Sequence, residues 1–276
     1  MKKYPLILLL VFIATFLQAR TSDSTIAQQK KVTFTAGALY NSSLNYYGRI
    51  DSLKSQGWVP FAGITLKNGL YLFSNFIFIN NALTTTYAAT TIEAGYKFKN
   101  QKGSLSGNIY GIGFFYNGDV SLVQSVVKQQ AGINLSGLTN VINIHAGADA
   151  KFSDQTDFGL YAGLDHRFRI DPVGKGVIVI APAAYSYFGT QRFSKTYLEE
   201  KRFLIFPAGA EKITQNSSAF NALSYELSCA VVYGIGKMNL AITPSYVLPQ
   251  NVIAADGTPQ KTANLFYTTA TIRFDF

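Results

Sequence analysis

His145 and Asp165 are the first residues whose types and spacing could do chemistry. Each falls on the charged side of an alternating stretch, 141–152 for the histidine and 157–170 for the aspartate. The turn from Ser153 to Thr156 lets His145 face either Asp165 or Gly163, depending on register. A histidine oriented by an aspartate is half of a serine-hydrolase triad. It is also a common satisfied polar pair inside a barrel. The sequence shows no activated serine nearby, so the structural reading leads and no enzyme is expected.

The other charges share one property. Glu93, Lys97, Lys128, Asp149, Lys151, Arg167, Arg169, Glu226, Arg273 and Asp275 all lie opposite apolar sets at alternate positions. Those sets include Val32, Phe34, Ala36 and Ala38; Ile92, Ala94, Tyr96 and Phe98; and Ile142, Ile144, Ala146 and Ala148. Alternate residues of a strand point to opposite faces, so each such strand has one charge-free face. In a soluble sandwich the charged face looks outward. In a membrane barrel it lines the lumen, because a cation facing lipid at the midplane costs ~2–4 kcal/mol. Alternation cannot choose between the two.

These residues need strands to hold them. About twelve candidates have the length and alternation of spanning strands: 32–40, 58–66, 70–80, 86–98, 104–116, 125–138, 141–152, 157–170, 176–188, 219–233, 237–248 and 264–276. Alternate connections are short, such as Lys67-Asn68-Gly69 and Gly234-Ile235-Gly236, which suit tight hairpins. Three in the other set are long: Asn41 to Gly57, Gly189 to Ser218 and Pro249 to Ala263. An even count leaves both ends on one side, with the long loops opposite. Pro60, Pro182 and Pro244 fall inside strands and are expected at bulges or a rim, or else the strands have other boundaries, since proline cannot donate to a ladder. The third, fifth and ninth strands do not declare a face; Ile178 to Ala181 is apolar on both.

Composition points the same way. Charged residues make up 14%, against the ~25% usual for soluble domains, and aromatics also reach 14%. No run in residues 20–276 is long and apolar enough for a membrane helix. Cys229 is the only cysteine, so no intrachain disulfide forms. Lys2, Lys3 and the apolar run from Leu6 to Leu17 before Ala19 read as a secretory signal. The expected plan is a signal over 1–19, a short periplasmic segment over 20–31, and a barrel over 32–276. Despite a formal charge of +9, no basic helix or zinc spacing is present; no nucleic acid, metal or cofactor is expected.

The end of the chain carries a resemblance. Leu265 to Phe276 reads LFYTTATIRFDF, with Phe266, Thr268, Ala270, Ile272, Phe274 and Phe276 on one face. This resembles the terminal strand of Gram-negative outer-membrane β-barrels, which ends on phenylalanine. The resemblance implies an outer-membrane location, contact with membrane lipid, and reading of Ile272, Phe274 and Phe276 by the barrel assembly machinery. Outer-membrane phospholipases use a lipid-facing histidine near the outer leaflet. By parity His166 faces lipid, but at the opposite end and without a family motif, so it reads as interfacial. Cys229 also faces lipid and behaves as a small apolar residue.

The expected fold is all-β, a transmembrane antiparallel up-and-down barrel of about twelve strands. Glu93, Lys97, Lys128, His145, Asp149, Lys151, Asp165, Arg167, Glu226 and Arg273 are the expected lumen-lining residues. Their mixed sign favours a passive, weakly selective channel for small solutes. The alternative is a closed barrel that presents loops for adhesion or partner binding. Phe203, Leu204, Ile205 and Phe206 are too apolar for a free loop. They could form a constriction over the lumen, or strand extensions above the membrane.

Overall fold

The computed structural model describes residues 32–50, 53–118, 127–139, 141–192, 218–253 and 259–276. The signal segment and the segment 20–31 lie outside them. Strands β1 (Val32–Asn41), β2 (Gln56–Leu66), β3 (Leu70–Asn80), β4 (Thr85–Lys99), β5 (Leu105–Tyr116) and β6 (Gln129–Gly137) form the first half. Then come β7 (Asn143–Phe152), β8 in two segments (Thr156–Asp165 and Phe168–Val173), β9 (Gly176–Gly189), β10 (Asn221–Ile235), β11 (Met238–Pro249) and β12 (Leu265–Asp275). Each strand pairs antiparallel with the next, and β1 pairs with β12 to close a 12-strand up-and-down barrel. Closure gives each of the twelve strands a partner on both sides, although the segment Phe168–Val173 of β8 pairs only with β9.

Burial settles the question that alternation left open. Phe34 and Ile144 are each 57% exposed on the outside, whereas Lys151 is 3% and Asp157 2% exposed on the inside. Trp58, Leu160, Ile242 and Phe266 continue the exposed apolar wall. The barrel is apolar outside and polar within, the reverse of a soluble sandwich.

Inside, aromatic rings sit directly opposite glycines on the neighbouring strand. Phe61 faces Gly37, Phe73 faces Gly63, Tyr71 faces Gly95, Tyr110 faces Gly132, Tyr161 faces Gly147 and Tyr185 faces Gly163. A Cβ built at any of these glycines would run into the ring opposite. The missing side chain therefore lets each ring fold down against the wall instead of projecting along the pairing line. Glycine serves differently at the turns: Gly69 (φ 97°) and Gly236 (φ 56°) take the left-handed backbone of the β2–β3 and β10–β11 hairpins.

The prolines depart from expectation. None lies at a bulge or a rim. Ladder bridges are missing beside Pro60 and Pro244, yet pairing resumes beyond each in the same register. Pro182 sits opposite the break in β8, and the register of β8 against β9 is again unchanged across it. His166 N–H donates to the Pro182 carbonyl at 3.1 Å, so half of that exchange survives without a proline N–H. The break at His166 and Arg167 also corrects the expectation of one continuous strand over 157–170.

Candidate channel lumen

Two of the three strands that declared no face, β3 and β5, owe this to a loop, whereas Val179 and Ala181 of β9 pack on Ala230 and Val232 of β10. The segment between β1 and β2 folds into the barrel as a small ladder, Asn45–Tyr46 against Arg49–Ile50. Leu44 packs on Val59 of β2, Ile77 and Ile79 of β3, and Ala88 and Ala89 of β4. Tyr46 packs on Ile112 and Phe114 of β5 and on Val127. Tyr47 meets the Tyr187 ring of β9 at 5.6 Å, and Lys151 Nζ of β7 lies 3.3 Å from its hydroxyl. Gly48 (φ 77°) approaches Val247 and Pro249 of β11. One loop thus touches the wall from β2 round to β11. The inward apolar residues of β3 and β5 are its seat.

The loop is also tied at its tip. Arg49 Nη2 donates to Gln191 Oε1 at 2.5 Å and to the Gln250 carbonyl at 3.3 Å. Gln191 Nε2 donates to the Asn251 carbonyl at 3.0 Å. Burial brings the Arg49 guanidinium down to about 10, with Tyr46 and Tyr47 opposing the shift. It stays protonated at neutral pH. Burial also raises the Tyr47 phenol, against the pull of Lys151, so this ring is neutral.

Below the loop a hydrogen-bonded chain crosses the wall. Tyr71 donates to Glu93 Oε1 (2.7 Å) and Asn108 Nδ2 donates to the Tyr71 hydroxyl (2.9 Å). Asn134 Nδ2 donates to Asn108 Oδ1 and Tyr161 donates to Asn134 Oδ1, each at 3.1 Å. Lys97 lies over the Tyr71 ring at 4.8 Å. Asp149 pairs with Lys151 and accepts from Gln130 Nε2 at 3.2 Å. Glu226 accepts from Tyr267 at 3.1 Å. Arg273 pairs with Asp275 at 2.7 Å, and Thr35 donates to the same carboxylate oxygen. Asp149–Lys151 and Arg273–Asp275 are close pairs of opposite charge, which cancel part of the field locally, while Glu226 is held by a neutral phenol.

Lys128 stands apart at the rim. It bonds Asp154 at 2.6 Å, both side chains being well exposed. Asp157, which sequence reasoning passed over, is 2% exposed and accepts from Thr190 Oγ1 (2.6 Å) and the Arg192 amide (2.8 Å). It anchors the start of the long loop after β9. Phe203, Leu204, Ile205 and Phe206 lie outside the described residues. The loop residues Leu44, Tyr46, Tyr47 and Arg49 were also missed. Their signal was the same one that drew attention to 203–206: aromatic residues, here Tyr46-Tyr47, inside a long connection.

The His145 register is the one opposite Gly163, and Asp165 faces Asn143. The diagonal still brings His145 Nε2 to 2.5 Å from Asp165 Oδ2. Asn143 Nδ2 donates to Asp165 Oδ1 at 2.6 Å, and Arg167 Nε lies 3.5 Å from that oxygen. Ser136 Oγ lies 2.9 Å from His145 Nδ1. Ser136, which sequence reasoning did not single out, is the direct cross-strand partner of His145 on β6. His166 is not part of the cluster; its Nδ1 meets the Val141 carbonyl and its ring meets Phe168 edge-on at 4.3 Å.

No known protein family and no curated protein matches this sequence. Solved structures do match its shape. The KdgM porin in complex with disordered oligogalacturonate is 8% identical, with a TM-score of 0.50 over 88% of this chain and 99% of that one. An outer membrane channel from Pseudomonas putida F1 is 12% identical, with a TM-score of 0.50 over 91% of this chain and 97% of that one. The fold is that of an outer-membrane porin. In this porin fold Ile272 and Phe274 of β12 pair with Ala38 and Ala36 of β1. Phe276 then exchanges two backbone bonds with Phe34, at 2.8 and 3.3 Å. The terminal aromatic is thus the last tie of the closing seam, with Lys237 Nζ 5.2 Å above its ring.

Proposed function

We propose that the protein is an outer-membrane channel for small solutes, passive and weakly selective, with the polar bore as the path and the loop between β1 and β2 as its gate. The observation that carries this is how the bore is filled. Large aromatic residues are folded onto the wall over glycines, while the segment crossing the lumen is a loop held by side-chain contacts. A barrel braced only for stability has no need to keep wall bulk off its axis. The shape shared with porins and channels supports the reading. Locally paired charges such as Asp149–Lys151 and Arg273–Asp275 support weak selectivity, since among the described residues no ring of one sign stands across the path.

The test is conductance in planar bilayers. The wild type should show small or intermittent channels, and the variant with both Tyr46→Ala and Tyr47→Ala should show larger, steadier ones. If both are silent while heat-modifiable migration shows folded barrels, the second reading replaces the first. The loop would then be a permanent plug, and the protein a closed barrel presenting its loops.

A further inference from the structure

We infer that Ser136, His145 and Asp165 form a serine-hydrolase centre at the turn end of the lumen, acting on small carboxylic esters. The three residues come from adjacent strands, β6, β7 and β8, close to the hairpin that joins β6 and β7. They are linked in one line: Ser136 Oγ to His145 Nδ1 at 2.9 Å, and His145 Nε2 to Asp165 Oδ2 at 2.5 Å.

The protons in this line follow from chemistry. An ionised carboxylate only accepts, so Nε2 carries the hydrogen. In the neutral imidazole Nδ1 then holds a lone pair, and the serine hydroxyl donates to it. This is the bonding of an activated serine, with the two ring nitrogens exchanged relative to the usual triad. The exchange does not alter the logic, because either nitrogen serves as the base when the other is held by an acid. Asn143 Nδ2 fixes the second carboxylate oxygen at 2.6 Å. The Tyr185 ring, 6.0 Å from the imidazole between centroids, covers its flank.

Exposure is graded as a reaction needs. His145 (6%) and Asp165 (8%) are buried, while Ser136 is half-buried and reachable from the lumen. The buried Arg167 Nε is within ion-pair range of Asp165 but makes no hydrogen bond among the described residues. Its positive charge lies beside the Asp165 carboxylate, at the end of the line away from Ser136.

The step balances without a cofactor. Ser136 Oγ attacks the ester carbonyl and its proton passes to Nδ1. The acyl C–O bond breaks, and the alcohol leaves with that proton. Water then adds to the acyl-serine with Nδ1 as base, releasing the carboxylic acid and restoring Ser136. Ser136 and His145 are the reacting groups; Asp165 and Asn143 position them.

The experiment uses the folded, detergent-solubilised barrel with a fluorophosphonate probe and p-nitrophenyl acetate. Label should map to the peptide containing Ser136, and be absent in Ser136→Ala and in heat-denatured wild type. His145→Gln should slow labelling by about a hundredfold or more, the usual worth of a general base. Ester hydrolysis should rise with pH through a single ionisation in the wild type and lose that dependence in His145→Gln. Asp165→Asn should alter this pH profile while heat-modifiable migration stays normal; if it fails to fold, Asn143→Ala takes its place. No label at Ser136, or equal labelling of wild type and His145→Gln, overturns the proposal and leaves a structural polar cluster. Channel conductance bears on none of these outcomes.

Discussion

Arg49 on the inward loop is hydrogen-bonded to Gln191 at the start of the loop after β9, Nη2 to Oε1, at 2.5 Å. Gln191 in turn holds the Asn251 carbonyl beyond β11. Three connections on the same side of the barrel are therefore joined through one buried amide. A hydrogen bond to a charged group is worth ~1.5–3 kcal/mol, enough to shift a two-state loop by an order of magnitude or more.

Arg49→Ala should loosen this latch without touching any of the twelve wall strands. Single-channel records should show a longer open dwell time than the wild type, with the same full conductance. A record identical to wild type would mean that the aromatic contacts of Tyr46 and Tyr47 alone hold the loop.

Lys151→Met should change selectivity. It removes the cation that neutralises Asp149 and leaves a buried carboxylate facing the bore. Reversal potentials in a salt gradient should move toward cation preference. The variant should also lose stability by about 3 kcal/mol or more, since breaking a buried pair strands a charge.

A charge on the outer wall tests the membrane face by depth. Leu160 lies mid-strand on β8, whereas Ile144 is one residue from the turn end of β7. In lipid vesicles Leu160→Arg should cost ~2–4 kcal/mol and Ile144→Arg ~0–1 kcal/mol. Equal costs in denaturant titrations would argue against a lipid-facing band at Leu160.

Deleting Phe276 removes the last backbone exchange with Phe34 and the ring that stacks on Phe274. Export should continue while the yield of heat-modifiable barrel falls. Normal yield would show that the closing seam is sufficient from Asp275 inward.

Gly163→Ala should destabilise the barrel by ~1–3 kcal/mol, because the new methyl meets the Tyr185 ring. Adding Tyr185→Ala should recover part of that loss. A double-mutant cycle measures the coupling directly.

What the sequence made legible, and what it did not, follows from range. On β7, Ile144, Ala146 and Ala148 alternate with His145, Asp149 and Lys151, and lipid on one side and water on the other enforce that period. The face of such a strand is readable locally. On β3, Ile77 and Ile79 look as apolar as Phe76 and Phe78, because the inner pair is covered by Leu44 from another part of the chain. No local pattern reveals that partner. Ser136 was hidden for a related reason: Leu-Ser-Gly before a turn is ordinary, and only the pairing of β6 with β7 puts its hydroxyl on His145. The prolines misled because a missing N–H was expected to force a bulge. The register across each is held by the longer ladder on either side.

The pairing of aromatic rings with glycines has a consequence for how such a wall is inherited. Phe73 and Gly63, or Tyr185 and Gly163, sit on different strands but occupy one volume between them. A lineage that replaces the glycine first must carry a clash, and one that replaces the ring first must carry a void. The bore's width is therefore recorded in couples, and descendants with a wider or narrower lumen should differ from this chain two residues at a time.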